Sequence, residues 1–172
     1  MKPKLIGIGY QKQVGKDTAA EIICELLKPA TCLIFHFADA LKQEVSDALG
    51  VSVAELNENK KLYRPLLQWW GTEYRRGQDP HYWTLKMQEQ LDFYKSDYKI
   101  IADVRFLNEG NFVKNNDGIL VLITNIKSEN NFDSHRSETE GKYLCWDLHI
   151  SNSGSIDLLK SNCKEFVNYF LS

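Results

Sequence analysis

None of the four cysteines, Cys24, Cys32, Cys145 and Cys163, forms a C-x-x-C pair with another. A zinc or dithiol motif of that kind is therefore excluded, and reduced cysteines in a cytosolic protein are the expectation. The sequence also lacks a run of about 20 apolar residues, so no membrane span is expected. Its first residues lack the apolar core of about 7–15 residues that marks a secretory signal. An excess of charge of one sign is missing too. The 21 Lys and Arg against 23 Asp and Glu leave a formal net charge of -2. That argues against a general nucleic-acid-binding surface, and anion binding has to come from local clusters of Lys and Arg. There is no internal repeat and no low-complexity tract. These absences leave a cytoplasmic globular protein of 172 residues, 43% hydrophobic and 26% charged. That length favours one domain with a sizeable core.

What is present is alternation. Five short apolar runs read as strands: residues 4–9 (KLIGIG), 33–37 (LIFHF), 99–104 (KIIADV), 118–123 (GILVLI) and 147–151 (DLHIS). Several are apolar on consecutive residues, the pattern of strands covered on both faces in a parallel sheet. On this reading His36 and His149 lie inside strands as core residues. Between the runs, Ala19, Ile22, Ile23, Leu26 and Leu27 recur at helical steps. Ile156, Leu159, Cys163, Phe166, Val167 and Phe170 mark a C-terminal amphipathic helix. Such alternation builds an α/β sheet with right-handed crossovers. Residues from about 52 to 96 carry two or three helices and no strand pattern, so they form a helical insertion between the second and third strands. An insertion there overhangs the strand ends, where open α/β sheets bind ligands. Gly141 and the polar stretch of about 127–142 predict a mobile loop or a small lid.

The first strand runs into YQKQVGKDTAAEII, residues 10–23, where Gly15-Lys16 lies between an apolar strand and an amphipathic helix. This is the context of a phosphate-binding loop, whose usual pattern is G-x-x-x-x-G-K-[ST]. Free backbone N–H groups at the helix start attract phosphate, and Lys16 adds a full positive charge. Tyr10 occupies the first glycine slot, so either the loop enters with ordinary φ there or Gly9 takes the unusual conformation. Asp17 occupies the hydroxyl slot, where a carboxylate can serve Mg²⁺ directly or through water. Thr18 can hydrogen-bond an inner phosphate, and Lys12 adds charge. The competing reading is a simple turn with a solvated lysine.

Other residues carry two readings each. Arg64, Gln68, Gly71 and Arg75 are spaced to share one face of a helix, suited to a bidentate anion or to an exposed polar face. Pro65 places Arg64 near a helix boundary. Trp69, Trp70 and Trp83 read as core, with base stacking as the alternative. Asp103 ends the third apolar run, either to hold Mg²⁺ or to pair with Arg105, and Arg105 can neutralise a transferring phosphoryl group. Asn108 and Glu109 begin the next helix. Asp39 orients an acceptor or caps a helix. Arg136, with His135, closes on phosphates or is merely solvated. Asn152 contacts a base or supports its turn.

Six blocks in this order, VGKDTAA, FADALKQ, LLQWWGTEYRR, IIADVRFLNEG, HRSE and ISNSGS, resemble the bacteriophage-type deoxynucleoside monophosphate kinases. They are also similar to the animal-type phosphomevalonate kinases, which are related P-loop kinases. The resemblance spans about residues 4–160. It implies a three-layer α/β P-loop kinase fold with about five parallel strands flanked by helices. The helical insertion and the short lid would belong to one domain over residues 1–172. It implies ATP as co-substrate, Mg²⁺, and phosphoryl transfer to a deoxynucleoside 5′-monophosphate. By position it implies Lys16 as the phosphate-loop lysine, next to Gly15. It places Arg64, Gln68 and Arg75 on the acceptor-holding insertion, with Lys42 after the second strand, Arg105 after the third, and His135 and Arg136 in the lid. Ser134 stands where the family often has aspartate. Lys16, Arg105 and Arg136 are the expected catalytic set, and Asp17 and Asp103 the expected Mg²⁺ ligands. A phosphate acceptor is already ionised and needs no strong general base, which matches the lack of an obvious His-Asp or Ser-His relay. Another phosphorylated metabolite such as phosphomevalonate, or an inactive nucleotide sensor, is the alternative. No nucleic-acid polymer or membrane partner is expected, and a homodimer is the default assembly.

Overall fold

The computed structural model describes residues 4–9, 11–125 and 135–171. Tyr10, Ser134 and residues 127–134 of the expected lid lie outside the described residues. The chain divides into two compact units, one of residues 1–35 and 95–172, the other His36–Tyr94.

The first unit is a sheet of five strands: β1 Leu5–Gly9, β2 Cys32–Phe35, β3 Tyr98–Val104, β4 Ile119–Thr124 and β5 Leu148–Ser151. Their order is β2-β3-β1-β4-β5, and every pairing is parallel. The consecutive apolar runs follow from this, because each central strand is covered on both faces. Ile6, Ile8, Ile100, Ala102, Val121 and Ile123 point to one face. There they pack against Ala19, Ala20 and Ile23 of α1 (Lys16–Leu26) and Leu159, Cys163 and Phe166 of α9 (Ile156–Phe166). Gly7, of opposite parity, faces the other side, where an added Cβ would lie 2.9 Å from Val113 of α7 (Leu107–Asn115). The two faces therefore carry different helices, and β1 is central.

Some expectations shift. The second strand ends at Phe35, and His36 precedes α2 (Phe37–Leu49) with extended backbone as its N-cap residue. His149 does lie in a strand, but on an exposed position of the edge strand β5. Neither histidine is a core residue. Ile156 is half exposed at the start of α9, which continues as a π-helical turn Val167–Leu171. Cys24 and Cys32 form a disulfide, Cα–Cα 5.3 Å, while Cys145 and Cys163 are free thiols. The expectation of reduced cysteines fails for that pair because the end of α1 returns directly to the start of β2. Among the described residues no helix is long and apolar enough to cross a membrane.

The second unit is helical: α2, α3 (Val53–Glu58), α4 (Lys60–Gln68), a π-helical segment Trp69–Arg75, α5 (Arg76–Gln78) and α6 (Tyr82–Phe93). It contains no strand. Trp83 is buried and donates its indole N–H to the Gly71 carbonyl at 2.9 Å. Trp69 is 50% exposed, so the core reading holds for Trp83 and fails for Trp69.

Candidate active site

In the first unit the chain leaves β1 and turns back on itself before α1. Positive φ occurs at Gln13 (61°) and Gly15 (86°). Among the described residues the left-handed conformations thus fall late in the loop, and Gly9 stays in the strand. Gly9 is needed for another reason: a Cβ there would come within 2.2 Å of the Val104 carbonyl oxygen and 2.4 Å of the Trp146 ring. Gly15 is the N-cap of α1 and supplies no side-chain cap. The first amides of α1 therefore have no capping side chain of that residue to bind, the usual condition for an anion site at a helix start. Asn152, just past β5, donates to the Val14 carbonyl at 2.9 Å. It lies so close that a Cβ on Gly15 would be 2.4 Å from its Nδ2. Asn152 braces the loop.

Lys16 is buried, and its Nζ donates to the Gln11 carbonyl of its own loop. Its pKa falls from 10.5 to about 8, first through burial and then through the Arg105 charge. Asp103, Glu138 and Asp17 act in the opposite sense. Three charged groups foreseen around the phosphates, Asp17, Asp103 and Arg105, thus lie within electrostatic reach of Lys16. Asp17 and Thr18 are exposed on α1, and Lys12 is half-buried in the loop.

Arg105 follows β3 and pairs with the nearly buried carboxylate of Glu138. Its backbone N–H, and that of Phe106, donate to Glu109 Oε2 at 2.7 and 3.1 Å. Glu109 is buried and begins α7 as foreseen. The described part of the expected lid is helical: α8 (Arg136–Thr139) and a 3-10 turn Glu140–Tyr143. Arg136 donates to Glu140 at 2.5 Å and lies over the Phe106 ring at 5.8 Å. Glu140 also accepts the Leu107 N–H at 2.9 Å. Two carboxylates of this short segment therefore clip it to the turn between β3 and α7.

In the second unit, α2 carries Asp39 and Lys42, α4 carries Arg64 and Gln68, and Arg75 ends the π-helical segment. Asp39 is not the N-cap of α2. It lies in the first turn, 3.4 Å from His36 Nδ1. Pro65 lies inside α4, because the helix starts at Lys60, so Arg64 is not at a boundary. The shared face expected for Arg64, Gln68 and Arg75 is broken, because the winding changes after Gln68. Gln68 Nε2 is buried and meets no hydrogen-bond partner among the described residues. Arg75 is turned onto Glu44. A groove of about 520 Å³ runs between α2 and α6, lined by Asp39, Glu44, Asp47, Tyr82 and Lys86 among others. Three carboxylates and Lys86 give that lining charges of both signs.

Glu44, Glu109, Glu138 and Glu140 were not singled out by their chemistry in the sequence. Glu109 and Glu138 had a signal, since they lie in the quoted FLNEG and HRSE blocks. Glu44 and Glu140 had none, being two of many acidic residues on helical segments.

The fold matches shikimate kinase from Bacteroides thetaiotaomicron, with a TM-score of 0.50 at 10% identity over 95% of this chain and 96% of that one. With the strand–loop–helix around Lys16, this is a P-loop kinase fold. A family model described as phosphomevalonate kinase matches residues 8–118, more than half of the chain. The chain belongs to the phosphomevalonate kinase family. None of the curated proteins compared with it matches.

Proposed function

We propose that the protein transfers the γ-phosphoryl group of ATP to a deoxynucleoside 5′-monophosphate, giving the diphosphate. Residues 1–172 act as one kinase domain, with about 52–96 taking the acceptor and about 127–142 serving as the lid. One observation carries this reading: a buried lysine starts α1 directly after Gly15, a left-handed N-cap that leaves the first helical amides without a side-chain cap, and Arg105 acts on its charge.

Phosphoryl transfer asks mainly for positioning and for positive charge around the migrating group. The amides at the start of α1 and the Lys16 ammonium bind the outer phosphates of ATP. Lys12 and Thr18 add contacts, and Asn152 holds the loop in shape. Arg105, and Arg136 from the lid segment, neutralise charge on the transferring group. Among the described residues no group of three or more His, Cys, Asp or Glu forms a metal cage. Mg²⁺ is commonly held by one or two carboxylates together with substrate phosphates. Asp17 and Asp103 would hold it, directly or through water. A Mg²⁺ ion held by those carboxylates would supply positive charge to offset that of the phosphates. In the helical unit, Asp39, Lys42, Arg64, Gln68 and Arg75 take the acceptor.

The half-exposed Trp69 ring, stacked on Tyr74, favours an acceptor that carries a base. The family match favours a second reading, phosphomevalonate as acceptor with the same chemistry. Coupled ADP release with all common ribo- and deoxyribonucleoside monophosphates, and with phosphomevalonate, separates them. The expected result is turnover with one or more deoxynucleoside monophosphates. Turnover confined to phosphomevalonate would replace the first reading by the second. Tight ATP binding with no acceptor-dependent release would leave a nucleotide sensor.

A further inference from the structure

The segment Trp69–Arg75 is wound as a π-helix, whose i→i+5 hydrogen bonds bring residues five apart over one another. In an α-helix such residues point about 140° apart. Two pairs use the change. Trp69 and Tyr74 stack with ring centroids 5.5 Å apart and an interplanar angle of 11°. Trp70 and Arg75 converge on one carboxylate of α2, Glu44. The Trp70 indole N–H donates to Glu44 Oε1 at 3.0 Å, and Arg75 donates to the same oxygen through Nε. From α6, the Tyr82 hydroxyl donates to Oε2 at 3.0 Å. The Arg75 guanidinium also lies over two rings, 5.0 Å from the Tyr74 centroid and 4.8 Å from that of Tyr82.

We propose that Glu44 is a positioning residue, which sets the orientation of Arg75 and through it the affinity for the acceptor's phosphate. This rests on the reading of Arg75 as an acceptor ligand. With Nε and one terminal nitrogen turned onto Glu44, the plane of the guanidinium is set. Its remaining N–H donors are the ones it offers to a phosphate oxygen. Burial pushes the Glu44 carboxyl up, but hydrogen bonds from Trp70, Arg75 and Tyr82 outweigh it and hold the group below its ordinary range. The carboxylate is thus a fixed anion in a fixed place. The π-helical winding is what lets Trp70 and Arg75 reach it together.

The test is a double-mutant cycle on the full chain, Glu44→Gln and Arg75→Lys singly and together. ADP release is followed with dTMP, dGMP, dAMP, dCMP and phosphomevalonate as probe acceptors. Glu44→Gln is expected to raise the acceptor KM about tenfold, with the ATP KM changed less than about twofold. In the Arg75→Lys background it is expected to add less than about twofold. An unchanged acceptor KM, or the same factor in both backgrounds, would overturn the proposal. If the parent chain turns over none of the probes, the kinase reading fails separately. The positioning claim is then read by ¹⁵N NMR from the Arg75 Nε–H resonance. Its loss or large shift in Glu44→Gln, with the Trp83 indole N–H unchanged as a control for folding, supports the proposal. An unmoved resonance overturns it.

Discussion

At Lys16 two demands oppose each other. The ammonium has to be ready for phosphates, yet it is buried and next to Arg105, and its pKa drops to about 8. The unfolded chain, with a pKa near 10.5, binds more protons between those two values. Stability should therefore rise as the pH climbs from about 8 to 10.5, because below that window folding must bury a charged lysine. The interval corresponds to about 3 kcal/mol at most. Lys16→Met should remove that cost. We expect the variant to be as stable as the parent or more so at pH 7 in urea unfolding, and to show a flatter pH dependence above 8. Its turnover should fall by about 10²–10³-fold. A variant that loses stability at pH 7 would count against the buried charge as a liability.

At the level of elements, the turn from β3 into α7 determines how Arg105 is presented. Glu109 reaches back from the first turn of α7 and accepts two backbone N–H groups, those of Arg105 and Phe106. Removing that carboxylate takes an acceptor from both amides beside a buried side chain. Glu109→Ala should cost about 1–3 kcal/mol in chemical unfolding, and it should lower kcat because the Arg105 backbone loses its anchor. Glu109→Gln keeps one acceptor oxygen and should recover part of both losses. Equal stability of the alanine variant and the parent would show that water replaces the carboxylate. The π-helical turn teaches a related lesson. The four-, three- and four-residue spacing of Arg64, Gln68, Gly71 and Arg75 predicts one face, but seven residues of different winding rotate Arg75 towards Glu44. No local propensity marks that change; Glu44 and the packing around it do.

For the molecule as a whole, the central sheet was legible. The runs of consecutive apolar residues announced parallel strands with both faces covered, and the segments between them announced helices. Strand ends were less clear. The run LIFHF continues past the point where β2 stops, because His36 and Phe37 are hydrophobic enough to read as strand but start α2 instead. The disulfide was not foreseen, since its partners lie eight residues apart across a turn and share no motif. It closes a short loop, so reduction should lower stability by about 2–3 kcal/mol. Thermal unfolding with and without reductant measures this, and alkylation of the denatured protein should find two further thiols only after reduction. Four reactive thiols without reductant would exclude the bond.

The order of residues was enough to locate the strands, the loop around Gly15-Lys16 and the helix after it. Those features depend on neighbours in the chain: apolar runs, a glycine that allows positive φ, and amides at a helix start. The folded chain alone decided which charges meet. Arg75 finds Glu44 and Arg105 finds Glu138 across more than thirty residues, among 23 acidic side chains that differ little as sequence. Ion pairing depends on distance and burial, and both exist only once the elements have packed.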